Sequence, residues 1–251
     1  MSIELMLLIG GAMFAGFIQG LSGFAFSMVA LSIWVWRLDP ALAAVMSVFG
    51  ALTGQLMALL LGERKFYTTT LAPYLAGGLI GVPLGIAALP ALNPHMFKLV
   101  IGLFLTLCCP LMLCARQLPH IQRGGWLADA MAGLAGGIMG GLGGPIGAIP
   151  VLWCALRGLS KEAQRAVIQN FNLSMLIVTM LGYVTTGVVT AEMLPLLPAV
   201  AVAVSLPAIL GMRVYARMNQ TNFRQLTLVL LTGSGVAMLC AALPAVLAAR
   251  F

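Results

Sequence analysis

Charge is nearly missing from this sequence. Asp, Glu, Lys and Arg make up 8% of its 251 residues, against about 25% in an average soluble chain. Thirteen Lys and Arg with six Asp and Glu cannot coat a water-soluble globule, so a soluble enzyme is excluded. Long polar stretches are missing too: the longest water-facing runs are 116–125 and 213–224, too short for an active domain outside a membrane. There is no clustered basic face, which excludes a nucleic-acid interface. The net charge of +7 comes instead from cations set in short gaps between apolar runs, as membrane anchors are. Metal and disulfide spacings are absent. Cys108, Cys109, Cys114, Cys154 and Cys240 form no CxxC or Cys/His pattern and read as buried small hydrophobes, and nothing calls for a cofactor or a metal. A basic n-region is also lacking. The first cation is Arg37, so the N-terminal apolar run reads as a retained first membrane segment rather than a cleaved signal peptide.

What is present is apolar length: 61% hydrophobic residues and a mean hydropathy of +1.07. A bilayer core takes about 20 apolar residues per helical span, and six runs fit: 41–62, 71–89, 96–115, 166–188, 193–212 and 225–248. The expected fold is all-α, one multipass transmembrane domain over 1–251, with the lipid bilayer as its surroundings and the plasma (inner) membrane as its location. Two stretches do not fit one span. Residues 3–36 are interrupted at Gly20-Leu-Ser-Gly, and residues 126–156 at Gly140-Gly-Leu-Gly-Gly-Pro.

The two broken stretches correspond. A shift of 121 aligns Gly16 with Gly137, Gly20 with Gly141, Leu21 with Leu142, Gly23 with Gly144, and Leu31, Leu38 and Leu52 with Leu152, Leu159 and Leu173. A shift of 126 pairs Gly85 with Gly211, Asn93 with Asn219, Phe97 with Phe223 and Lys98 with Arg224. The chain therefore reads as two copies of one unit, repeat 1 (1–125) and repeat 2 (126–251). If each broken stretch crosses once, the cations divide eight against five; if each is a re-entrant hairpin of two half-length helices, Arg37, Lys98 and Arg250 lie on one side and ten lie opposite. The second division obeys the positive-inside rule better. It leaves three full spans per unit, an odd number, so the second copy would be inverted, as in many secondary transporters.

In the hairpin reading, half-helices over 24–36 and 146–156 start at mid-membrane with both N-termini facing the centre. Helix N-termini carry unpaired N–H groups and partial positive charge, so the pair would form an anion site without a buried cation. Gly20, Gly23, Gly141, Gly143 and Gly144 would let backbone approach a ligand, and Pro145 suits a first helical position. For most of the 29 glycines the plainer reading is close helix packing. Gln19 and Ser22 lie at the first break, and Ser47, Thr53 and Gln55 on the next span. Gln169, Asn170 and Asn172 form the densest polar set. Residues 169 and 172 share a helix face while 170 turns about 100° away. Amides in an apolar helix need protein partners or a water-filled cavity, and interhelical hydrogen bonding explains them as readily as ligand contact. Asp129 is the one acid expected within a membrane segment, as proton carrier or interfacial cap. Arg165 suits a partner of an anion or of Glu162, or an anchor. Lys98 and Arg224 read as snorkelling interface cations, Trp34, Trp36, Trp126 and Trp153 as interfacial belts, and the methionines as apolar filling.

The run Gly20-Leu-Ser-Gly-Phe-Ala-Phe-Ser-Met-Val-Ala-Leu, then Arg37-Leu-Asp-Pro and Ala43-Ala-Val-Met-Ser, with the second versions Gly141-Leu-Gly-Gly-Pro and Gly158-Leu-Ser-Lys-Glu-Ala-Gln-Arg-Ala-Val, resembles the TauE/SafE sulfite exporter family over essentially the whole chain. The resemblance implies a multipass permease for sulfite, sulfonates or other sulfur-containing organic anions, with export and proton coupling. Members often carry a small hydroxyl-bearing pair after Ala-Val in each copy. Here the first copy keeps Ser47 and the second has Ile168 followed by Gln169 and Asn170, which suits an organic anion better than bare sulfite. The expectation is a secondary transporter working by alternating access on a small anionic substrate. Its rivals are a passive anion channel and a non-transporting membrane assembly subunit, and homo-oligomerisation is open. An intramembrane enzyme is disfavoured by the lack of a His/Glu/Asp metal cluster or a Ser/His pair.

Overall fold

The computed structural model describes residues 3–61, 68–114, 121, 124–215 and 220–248. Every regular element among them is helical: α1 (Ile3–Ser22), α2 (Phe26–Trp34), α3 (Pro40–Leu61), α4 (Thr68–Ala88), α5 (Pro94–Cys114), α6 (Gly125–Gly141), α7 (Ala148–Leu156), α8 (Lys161–Thr185), α9 (Leu196–Tyr215) and α10 (Gln220–Ala248), with 3-10 turns at Leu89–Ala91 and Ala191–Met193. The protein is an all-α multipass membrane protein. Six described segments are long and apolar enough to cross a bilayer. They differ from the expected six at one place. Ile3–Ser22 is span-length in its own right, whereas within α10 the qualifying apolar stretch is the shorter Leu231–Pro244.

Local sequence sets the helix starts. Before α3, Asp39 Oδ1 accepts from the N–H groups of Ala41 (2.9 Å) and Leu42 (3.4 Å), and Pro40 fills the first helical position, where no N–H is missed. Asn93-Pro94 repeats the device at α5, with Met96 N donating to Asn93 Oδ1 at 2.8 Å. Ser160 caps α8 by accepting from Ala163 N at 3.3 Å. Helices α2 and α7 have no side-chain cap.

Both broken stretches fold back on themselves. Trp34 on α2 packs on Gly11 and donates its indole N–H to Leu7 O at 3.1 Å, so α2 returns along α1. Likewise Pro150 packs on Gly136, and Trp153 and Arg157 reach Asp129, so α7 returns along α6. The arms are unequal, however, which corrects the expectation of two half-length helices. Helices α1 and α6 have 20 and 17 residues, roughly 30 and 25 Å, while α2 and α7 have 9 each, roughly 13 Å. The long arms persist because their glycine faces are packed along most of their length. Gly16 and Gly20 meet the backbone of Val204 and Ala208 on α9, and Gly133, Gly137 and Gly141 meet Tyr74, Gly78 and Val82 on α4. Reciprocally, Gly77, Gly81 and Gly85 on α4 meet Ala130, Leu134 and Ile138. This is small-xxx-small packing from both sides.

These contacts also fix direction. Residue numbers rise together along α1 and α9 and along α4 and α6. They do so along α1 and α3, where Gln19 meets Ala51 and Gly23 meets Gln55, and along α4 and α8, where Gly78 meets Phe171 and Met175 while Ile86 meets Gly182. Partners exchange between halves: α1 packs on α9 as α6 packs on α4, α2 touches α10 as α7 touches α5, and α5 pairs with α10.

The outer surface is apolar, with Leu60, Ile80, Leu84, Leu103, Val202 and Leu206 exposed, as a lipid-facing surface requires. Two side-chain expectations are corrected. Trp34 is fully buried and Trp153 half-buried and hydrogen-bonded, leaving Trp36 and Trp126 exposed; the inner pair pin short arms to long ones. Of the cysteines, Cys109 and Cys154 are buried but Cys114 and Cys240 are exposed; an apolar thiol is tolerated against lipid as well as in a core.

Candidate functional site

The tips of the two hairpins meet at a narrow cleft lined by Gln19, Phe24, Ser27, Ala51, Gln55, Ile146, Gly147, Asn172 and Leu176. Ala51 and Asn172 sit near the middles of α3 and α8, which puts the cleft at mid-depth. Residues separated by the expected repeat shift line it together: Ala51 and Asn172, like Gln55 and Leu176, differ by 121 residues, and Phe24 and Ile146 by 122.

Each tip turns at a glycine with positive φ, Gly23 (83°) and Gly143 (77°), a conformation that L side chains rarely take. At the first, Ser22 Oγ donates to Ile18 O (2.8 Å) and accepts from Ala25 N (3.1 Å). The hydroxyl is thus used within the turn. Gly143 also lies so close to Ala44 that a Cβ would overlap it. Pro145 is not the first helical residue. It lies in the turn before α7, its carbonyl accepting from Ala148 N at 3.3 Å, and Pro150 instead occupies the first turn of α7, where a missing N–H costs nothing. The start of α2 is left as the richer source of free N–H groups.

The amides carry the polar chemistry. Gln19 is 4% exposed; its Nε2 donates to Ala51 O at 2.9 Å, while its Oε1 is buried with no partner. Asn172 is 3% exposed and its Oδ1 likewise has no partner. Two glycines make room for them. A Cβ on Gly54 would lie 2.6 Å from Gln19 Cδ, and one on Gly147 would lie 2.6 Å from Asn172 Nδ2. Gln55, 2% exposed, donates from Nε2 to Gly23 O at 2.7 Å and braces the first tip.

Of the other expected residues, Gly20 and Gly141 pack on α9 and α4, and Gly144 on Met139. Asn170 Nδ2 bonds back to Ala166 O at 2.9 Å; Gln169 is half-buried on α8 and does not share the cleft with Asn172. Ser47 lies one turn before Ala51 on α3 and Thr179 one turn beyond Leu176 on α8; both are fully buried with unpartnered hydroxyls. Ser27, 3% exposed, and Gly147 were not legible as lining residues. The signal was available in their place at the start of each short arm.

Asp129 sits apart from the cleft, 4% exposed. Its Oδ1 accepts from Trp153 Nε1 (2.7 Å) and Tyr74 OH (3.4 Å), and its Oδ2 faces Arg157 at 3.3 Å. It ties α7 and α4 to α6 instead of capping α6. Among the described residues no group of His, Cys, Asp and Glu is arranged to hold a metal. Lys98 Nζ lies 4.4 Å from the centre of the Trp36 ring, a cation–π contact.

Two helix hairpins meeting at a polar cleft inside a shell of apolar spans make the architecture of a polytopic membrane protein. A family model, Sulfite exporter TauE/SafE, matches residues 8–238, nearly the whole chain. The chain belongs to the TauE/SafE sulfite exporter family, a family of membrane transporters and not of enzymes. Searches of curated proteins and of solved structures gave no match.

Proposed function

We propose that the protein is a secondary transporter for a small sulfur-containing organic anion, bound between the hairpin tips in the plasma (inner) membrane. The observation that carries this is the coincidence, at one mid-depth cleft, of uncapped helix starts with two buried amides whose oxygens lack partners. Free N–H groups and the positive end of a helix dipole favour an anion without a buried cation. Gln19 and Asn172 would contact it directly. Gly20, Ser22, Gly23, Gly141, Gly143, Gly144 and Pro145 would shape the tips, and Ser47, Gln169 and Asn170 would flank the path.

The halves 1–125 and 126–251 act as inverted copies in this reading. Helix α3 has 22 residues, about 33 Å, while residues 62–67 can reach roughly 25 Å at full stretch. Helix α4 would therefore return antiparallel to α3, and α6 and α8, which run with α4, would oppose α1 and α3. Rocking of one half against the other would open the cleft to each face in turn. The cleft as it stands leaves room for the centre of about one water, so loading requires it to widen, as expected of an occluded state.

Coupling would run through Asp129. Among the described residues it is the one buried acid, and protonation would release Arg157 and free α7, whose N-terminal end lines the cleft. The test is transport in liposomes across a panel of anions with and without a pH gradient. Saturable flux that Asn172→Leu abolishes is expected, and wild-type flux in that variant would remove the site. Non-saturating currents would instead identify a channel, and the absence of flux or of any anion-dependent stabilisation would leave the assembly-subunit reading.

A further inference from the structure

The cleft contains a feature that an anion alone does not satisfy. Gln19 cannot turn its amide around to suit an anion, because its Nε2 is held by Ala51 O at 2.9 Å; Oε1, an acceptor, is the end left without a partner in a side chain 4% exposed. A buried acceptor left unmatched is costly, and an anionic oxygen brought against it would be repelled. The matching group is a donor hydrogen. We propose that the substrate is an anion bearing its own hydrogen-bond donor, such as a hydroxyalkyl sulfonate, with that donor directed to Gln19 Oε1. The anionic oxygens take the first-turn N–H groups of α2 and the amide of Asn172, which has no hydrogen bond holding either edge in place. This rests on the anion reading above and narrows it.

The asymmetry of the two halves agrees. The position matching Asn172 is Ala51, and the one matching Gln55 is Leu176, so the cleft presents different chemistry on its two walls, as a two-ended ligand needs. Gly54 is part of the same arrangement, since a side chain there would displace the Gln19 amide.

The experiment compares 2-hydroxyethanesulfonate with propane-1-sulfonate, anions of equal charge and similar size that differ by a hydroxyl in place of a methyl. Binding to the purified full-length chain is measured by calorimetry at a single pH, with substrate protonation thereby held out of the comparison. Wild type is expected to prefer the hydroxyl form by about 10-fold, the usual consequence of leaving one buried acceptor unpaired. Gln19→Met should bring the two affinities to near equality, the ratio between the two sulfonates being the readout. Gly54→Ala, which moves the amide without deleting it, should reduce the preference as well and gives the same readout should Gln19→Met fail to fold. Equal binding by wild type, as when a water satisfies Oε1 in the loaded state, overturns the proposal, and so does a preference that survives in the variants. Binding of neither sulfonate removes the anion reading beneath it.

Discussion

Arg157→Leu separates a structural clamp from a coupling device at Asp129. The variant removes the guanidinium 3.3 Å from Asp129 Oδ2 and leaves a carboxylate whose side chain is 6% exposed, with Trp153 and Tyr74 as remaining donors. Breaking a fully buried pair costs about 3–5 kcal/mol, mostly from the stranded charge. Here the Arg157 side chain is 23% exposed and two donors still serve the carboxylate, so about 2–3 kcal/mol is expected. Asp129→Asn strands no buried charge, since Arg157 reaches water or headgroups along its apolar stem, and should cost about 1 kcal/mol. The double variant should then be little worse than Asp129→Asn alone, giving a coupling energy of about 2 kcal/mol. Equilibrium unfolding of the four proteins in mixed micelles measures this. Additivity within about 0.5 kcal/mol would refute the pair as a unit. Transport supplies the second axis: Asp129→Asn should retain exchange of anion for anion yet lose its response to a pH gradient, whereas a clamp with no coupling role predicts an unchanged response.

Further outcomes follow from the packing. Gly81→Leu and Gly137→Leu drive side chains into the backbone of Leu134 and Gly78 and should abolish folding, while Gly10→Ala, with open space around it, should be neutral; yield of monodisperse protein reads both. Gly23→Ala, at φ 83° with nothing within 4 Å, should cost about 1 kcal/mol from strain alone, visible in the same unfolding assay. Thr179→Val removes a buried hydroxyl that has no partner and should leave stability equal or higher by up to about 1 kcal/mol while slowing flux, if the hydroxyl serves the passing anion; unchanged flux would strip Thr179 of that role.

The two glycine breaks were legible in the sequence, because an interruption of an apolar run survives as spacing whatever side chains surround it, and the chain turns at Gly23 and Gly143. The arm lengths were misjudged, since whether α1 ends at its glycines depends on what those glycines touch. Gly16 and Gly20 lie against α9, nearly 200 residues away in sequence, and a helix with its glycine face packed has no reason to break there. Asn172 was legible as a costly amide, yet its separation from Gln169 was not. Helical spacing puts the two on one face, but that face is wider than the cleft, and the start of α7 at Gly147 decides which of them meets it. Arg157 read as a membrane anchor because its acid partner lies 28 residues earlier, across a hairpin whose existence had to be known first.

The scarcity of charge bears on mechanism through these same residues. Of the described residues that line the cleft, none is ionisable, and the buried acid Asp129 is already matched by Arg157 just past the end of α7. In the alternating-access cycle proposed above, the empty protein would return through an occluded state with its site unfilled, and a bare buried charge would make that step costly by several kcal/mol. Uncapped helix starts and amides lower that cost, since each unmet group amounts to about 1–3 kcal/mol or can be met by a single water. A site built this way would hold the proposed anion only moderately tightly, and weak retention is what release on the far side would require. Placing an arginine in the cleft, as in Ala51→Arg, should therefore tighten anion binding while slowing net flux; faster net flux in that variant would show that the return of the empty site does not limit turnover.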